Sequence, residues 1–205
     1  MNDPSLGNLP NLAVELLDAL NRAGFKAALG GGLALNLWVQ PRTTQDVDIN
    51  VFLAEDRYPD LLGALQEFGC LASRDGAAWD EAHREDFLRR AREGDVAICW
   101  FGPIRIDVFV PSIPFYEEAK RTLREVAFGS DGAKRLVLSP EALAVFKLLF
   151  FRARDILDLR RLVAVRRETL DTGWVRAQIV GMLGEDDERV ETWDEIVHTH
   201  GPRER

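Results

Sequence analysis

Apolar residues follow one of two rhythms along most of this chain. Between Leu12 and Ala23 they fall at Leu12, Val14, Leu16, Leu17, Leu20 and Ala23, the spacing of one helix face. Gly24 follows where a C-terminal glycine ends a helix. Phe25 to Leu29 is short and apolar enough for a strand. It runs into Gly30-Gly31-Gly32 and then Leu33 to Trp38, which reads as strand, glycine turn and helix. From Asp46 to Phe52 the rhythm changes to period two, the mark of a strand with one face on a core. Tyr58 to Phe68 and Glu81 to Glu93, the latter ended by Gly94, predict helices. Val96 to Phe101 and Ile104 to Val110 predict a hairpin turning at Gly102-Pro103.

After Pro114 the pattern predicts a helix through Leu123 and short strands near Val126 and over Leu136 to Leu138. Ser139-Pro140-Glu141 is a helix start, with a capping hydroxyl, a proline at the first helical position and an acid in the positive first turn. The helical signal then runs to about Arg167 with no Gly or Pro to break it. Thr172 to Leu183 and Glu188 to Val197 complete a helical C-terminal third. Together these elements predict an α+β fold. A mixed β-sheet flanked by helices occupies residues 1–138, and a helical region over 139–205 packs on that core.

Composition narrows the class. With 46% hydrophobic and 29% charged residues in 205, the chain can bury a sizeable core, and disorder and repeat architectures are excluded. No apolar run approaches the ~18 residues of a membrane helix, the longest being broken by Lys147 and Arg152. The first residues, Met1 to Ser5, lack the basic start and apolar stretch of a secretory leader, which predicts a cytoplasmic protein. Cys70 and Cys99 are the only cysteines. Without CxxC spacing they read as reduced packing residues. A net charge of −8 argues against a large non-specific phosphate-binding surface. Lys147 to Arg167 nonetheless holds seven basic residues against Asp155 and Asp158. That run is either a basic wall on an acidic body or an ordinary solvated helix face.

Period two places Val47, Ile49 and Val51 on one side of the strand and Asp46, Asp48 and Asn50 on the other. The two aspartates have Cα atoms about 6.6 Å apart by strand rise, so both can reach one divalent cation. Asp107 stands opposite the apolar face of the Ile104–Val110 strand. If the two strands are neighbours, three carboxylates converge on a cluster suited to Mg²⁺ or Mn²⁺. The plain alternative is sheet surface facing water. A glycine turn opening a helix also exposes backbone N–H groups that cradle phosphate. No GxxxxGK[ST] or GxGxxG occurs, and an EF-hand loop fails because Val51 and Arg57 stand where Gly and Glu are required.

Leu29-Gly30-Gly31, then Arg42-Thr43-Thr44-Gln45-Asp46-Val47-Asp48-Ile49, then Ile106-Asp107-Val108, resembles the hG[GS] … Dh[DE]h … h[DE]h signature of nucleotidyltransferases related to DNA polymerase beta. The Arg-x-Thr-x-Asp-x-Asp form, with Ser139-Pro140-Glu141, Lys147-Leu148, Arg152-Ala153-Arg154-Asp155 and Asp158-Leu159 downstream, is similar to the AbiEii-like toxins of abortive-infection and type IV toxin–antitoxin systems. The resemblance spans Phe25 to Leu162. It implies that Gly30 and Gly31 hold a triphosphate and that Asp46 and Asp48 ligate two Mg²⁺. Asp107 would bind the catalytic metal and assist deprotonation of the attacking hydroxyl.

The resemblance further implies that Lys147 contacts a phosphate and acts in catalysis, and that Asp155 with Asp158 fills the family's acidic positions. A lysine whose stem packs on apolar surface, and aspartates paired with nearby arginines, are the purely structural alternatives. Arg42 and Thr44 either position the nucleotide or shape the loop before the strand. His83, His198 and His200 are too sparse for a zinc site, and the five scattered tryptophans favour packing over base stacking.

The expectation is therefore an enzyme, a two-metal nucleotidyltransferase moving an NMP from an NTP such as ATP to an acceptor hydroxyl. RNA such as tRNA, a protein and a small molecule are the candidate acceptors, and a cognate antitoxin is the implied partner. The rival is a non-catalytic nucleotide-binding or antitoxin-partner protein that retains the fold.

Overall fold

The structure is a computed structural model describing residues 9–94 and 96–201. The N-terminal segment behind the expectation of no leader lies outside those residues. Among the described residues, no helix is long and apolar enough to cross a membrane. The chain divides into two compact units. One runs to Ala34 and resumes over Thr43–Leu138; the other takes Leu35–Arg42 and the residues from Ser139 on.

The first unit is built on a six-stranded mixed sheet of order β3-β4-β2-β1-β6-β5. Its strands are β1 (Lys26–Leu29), β2 (Asp46–Phe52), β3 (Ala97–Phe101), β4 (Ile104–Phe109), β5 (Arg124–Ala127) and β6 (Lys134–Val137). β2 begins and ends where the alternation does. Val47, Ile49 and Val51 are fully buried, so the apolar face of the strand is what drives it into the core. β1 lies antiparallel to β2, with Leu29 opposite Ile49, and parallel to β6. β4 lies parallel to β2 on its other side, with Asp48 opposite Asp107. β3 and β4 form the expected hairpin around Gly102, and β5 pairs antiparallel with β6.

Among the described residues, the sheet is accompanied in this unit by α1 (Leu9–Arg22), α3 (Tyr58–Phe68), α4 (Glu81–Glu93) and α5 (Phe115–Arg121). The apolar stripe of α1, including Leu16, Leu17 and Leu20, is buried on β1 and α3. Between β1 and β2 the chain forms α2 (Gly31–Trp38). The expected three-glycine turn is shorter in the structure, because Gly31 is already the first helical residue.

The second unit holds α6 (Pro140–Phe150), α7 (Ala153–Arg166), α8 (Thr172–Leu183) and α9 (Glu188–His200). α6 packs on α7 and α8, and α9 packs on α7 and α8. Ser139 caps α6 by accepting from the Ala142 N–H at 3.1 Å. The helical signal that runs to about Arg167 without a Gly or Pro is two helices, broken at Phe151-Arg152. Phe151 sits in the left-handed region at φ 51°, Arg152 is extended, and the Asp155 carboxylate accepts from the Arg152 N–H at the start of α7. A non-glycine residue carries the break, with the Arg189 guanidinium over its ring, and this is why no Gly or Pro announces it.

Candidate active site

The sheet brings three of the expected carboxylates to neighbouring strands. Asp48 of β2 and Asp107 of β4 stand directly opposite one another in parallel register. Asp46 lies two residues earlier on the same side of β2. Asp46 and Asp48 are half-buried and Asp107 is buried. Each is held in place. The Thr44 hydroxyl donates to Asp46 Oδ1 at 2.7 Å, and Arg105 Nε donates to Asp107 Oδ1 at 2.5 Å.

At Asp48 the backbone makes the room. Gly31 has φ +54°, and a Cβ there would overlap the Asp48 carboxylate. Only glycine leaves room for that carboxylate at the start of α2. The Gly30 N–H donates to the Asp48 carbonyl at 2.9 Å, pinning the turn to the strand. The peptide N–H groups of the first turn of α2 have no intrahelical acceptor and sit at the positive end of the helix dipole. Gly30, Gly31, Thr44, Asp46, Asp48 and Asp107 are thereby gathered in the first unit.

An all-oxygen donor set suits a hard divalent cation, and the missing side chain of Gly31 is what admits the Asp48 carboxylate to this group. Among the described residues no three or more His, Cys, Asp or Glu side chains are drawn together as a metal site. Cys70 and Cys99 are free and buried. A hydrogen bond with the Cys70 thiol, and then burial, push the Cys99 thiol well above its ordinary pKa, which suits packing residues rather than ligands or nucleophiles.

Arg42, Lys147, Asp155 and Asp158 assemble separately, in the second unit. Arg42 makes a two-pronged bond to Asp158 through Nε at 2.8 Å and Nη2 at 2.6 Å. Lys147 Nζ donates to Asp158 at 2.6 Å and to Asp155 at 3.2 Å. Arg152 Nε reaches Asp155 at 2.7 Å. Three cations thus share two buried carboxylates. Burial alone would raise both carboxyls; hydrogen bonds and charge from Arg152 and Lys147 at Asp155, and from Arg42 and Lys147 at Asp158, outweigh it. Both are held below the ordinary carboxylate range. Asp158 is the hub of this network, a part that its spacing to Asp155 and the nearby basic residues hinted at. Asn50, which shares the side of β2 with Asp46 and Asp48, was readable only as the third position of that row.

A family model for the nucleotidyl transferase AbiEii toxin of type IV toxin–antitoxin systems matches residues 15–199. The chain belongs to the AbiEii nucleotidyltransferase family. No curated protein matches it. The AbiEii chain is similar in structure to an antigenic nucleotidyltransferase-like protein from Paracoccidioides brasiliensis, with a TM-score of 0.51 and 16% identity over 91% of this chain and 93% of the other. It is also similar to the antibiotic-resistance factor ANT(2'')-Ia, with a TM-score of 0.50 and 16% identity over 95% and 93% of the two chains. At such identity these likenesses establish a shared fold, the α+β nucleotidyltransferase architecture expected for an AbiEii protein.

Proposed function

We propose that this protein transfers a nucleoside monophosphate from an NTP to an acceptor hydroxyl, with Asp46, Asp48 and Asp107 holding Mg²⁺ or Mn²⁺. The observation that carries the reading is Asp48, set opposite Asp107 and accommodated at the start of α2 only because residue 31 is glycine. A divalent cation held there would stabilise the attacking and leaving oxygens of an in-line displacement at phosphorus. The chain's own residues do the rest. Backbone N–H groups after Gly30 and Gly31 hold the phosphates at the positive end of α2. Thr44 fixes Asp46, and Asp107 takes the proton of the attacking hydroxyl. The new bond joins the acceptor oxygen to the α-phosphorus, the bond from that phosphorus to the bridging oxygen breaks, and pyrophosphate leaves.

Arg42, Lys147 and Asp155 enter the proposal through their shared ion network. Its surplus positive charge is offered to a phosphate in the second unit. RNA is the favoured acceptor, supported by the outer face of α7. Arg154, Arg160, Arg161 and, just beyond the helix, Arg167 stand exposed there with no ion-pair partner among the described residues. Phosphate neutralisation by such side chains is the main source of RNA affinity. The family's type IV toxin–antitoxin character supports a toxic activity opposed by a cognate antitoxin.

The test is pyrophosphate release by purified protein with each NTP, Mg²⁺ and total cellular RNA. Wild type should release pyrophosphate, and Asp46→Ala and Asp48→Ala should not, at unchanged thermal stability. The rival reading, a nucleotide binder without turnover, draws on the Arg105–Asp107 pair. Metal-dependent NTP binding with no pyrophosphate under any acceptor would favour it.

A further inference from the structure

We infer that Asn50 is a phosphate-binding residue whose carboxamide donates an N–H to a phosphoryl oxygen held at the N-terminus of α2. The inference rests on the nucleotidyl-transfer reading above and adds a contact to it. Asn50 continues the row begun by Asp46 and Asp48 on one side of β2. It is only 4% exposed. Its Nδ2 lies against Gly30, so close that a Cβ on residue 30 would collide with it. Among the described residues, no hydrogen bond is made from or to this carboxamide.

A side chain this buried that makes no hydrogen bond with the described residues keeps its donor for a ligand. Here the unused donor faces the glycine turn, beside the first N–H groups of α2, which helix geometry also leaves without acceptors. The turn that Nδ2 abuts leads into the positive end of α2, where an anion is favoured by the helix dipole. The row along β2 then has a chemical order. Two carboxylates, which accept and attract cations, are followed by a neutral donor that stands opposite Ala28 and reaches Gly30. A third carboxylate at position 50 would repel a phosphate, whereas a carboxamide completes its hydrogen bonding.

The experiment uses the full chain as wild type, Asn50→Leu and Asn50→Asp. Calorimetric titrations with ATP and with inorganic tripolyphosphate, both with Mg²⁺, are read beside thermal unfolding. Asn50→Leu removes the donor at similar volume. It should keep or raise the melting temperature while weakening both ligands by about tenfold to a hundredfold, the range for a hydrogen bond to a charged group. In turnover, KM for the NTP should rise far more than kcat falls. Asn50→Asp, close to the native shape and carrying a charge, should weaken binding further, and it serves if the leucine variant does not fold. Wild-type affinity for tripolyphosphate in both variants would overturn the inference. So would a lowered melting temperature with unchanged affinity, which is the signature of a merely structural amide. Failure of the wild type to bind either ligand would instead overturn the nucleotidyl-transfer reading on which the inference stands.

Discussion

Lys147 shows how one residue's environment redirects its chemistry. Its ammonium is buried and engaged by Asp155 and Asp158, so replacing it leaves two carboxylates short of compensation. Removing one partner of a buried ion cluster costs about 3–5 kcal/mol. Lys147→Met should lower the urea unfolding free energy by that order, and a loss of activity in this variant has to be read against that loss of fold. The same network sets a pH dependence. Asp155 and Asp158 have folded-state pKa values below those of the unfolded chain. Their contribution is therefore complete above the unfolded value of about 3.9 and is lost as pH falls through the folded values. Urea midpoints measured from pH 6 downwards should decline only below about pH 4 in wild type. In Lys147→Met, where the folded values lie closer to the unfolded one, the decline should be smaller. Coincident profiles would contradict this account of the network. The lysine's place on an apolar helix face was visible in the sequence, but its partners were not, because Arg42 and Asp158 are brought together across 116 residues of separation.

Among the elements, β2 and the start of α6 were the most legible, and for local reasons. Strict alternation from Asp46 to Val51 leaves one register that buries Val47, Ile49 and Val51. Ser139-Pro140-Glu141 carries its capping chemistry within three residues. Ser139 is fully buried and accepts from the Ala142 N–H. Ser139→Ala should therefore cost about 1 kcal/mol in chemical denaturation, and an unchanged midpoint would contradict the role of the cap. The boundary between α6 and α7 was not legible. Phe151 takes the left-handed conformation that sequence reasoning reserves for Gly or Asn, and it is accompanied by a tertiary contact, Arg189 over its ring, and by Asp155 closing the next helix start from three residues on. The pairing of β2 with β4 was likewise hidden. Parallel neighbours joined through α3, α4 and β3 leave no local signal, so Asp107 could be matched by motif but not by position.

At the scale of the whole molecule, an acidic chain of net charge −8 carries a concentrated basic face on α7. Lys147 and Arg152 are neutralised by Asp155 and Asp158, and the Arg166 guanidinium lies over the Trp38 ring. The exposed arginines that remain are fewer than the count of basic residues suggested, and they lie along one helix and its end. If they guide RNA, the double variant Arg160→Glu/Arg161→Glu should weaken RNA binding steeply. It should also flatten the log–log salt dependence by about 1 per arginine. An unchanged slope in filter binding at 50–300 mM salt would point to a small-molecule or protein acceptor.

The most direct test of the central claim follows the transferred group itself. Purified protein is incubated with Mg²⁺, total cellular RNA and each NTP labelled at its α-phosphate, with Asp48→Ala in parallel. The account predicts label entering RNA with wild type alone, which would identify nucleotide and acceptor class together. Equal labelling by Asp48→Ala, or no label in any acceptor despite metal-dependent NTP binding, would contradict it.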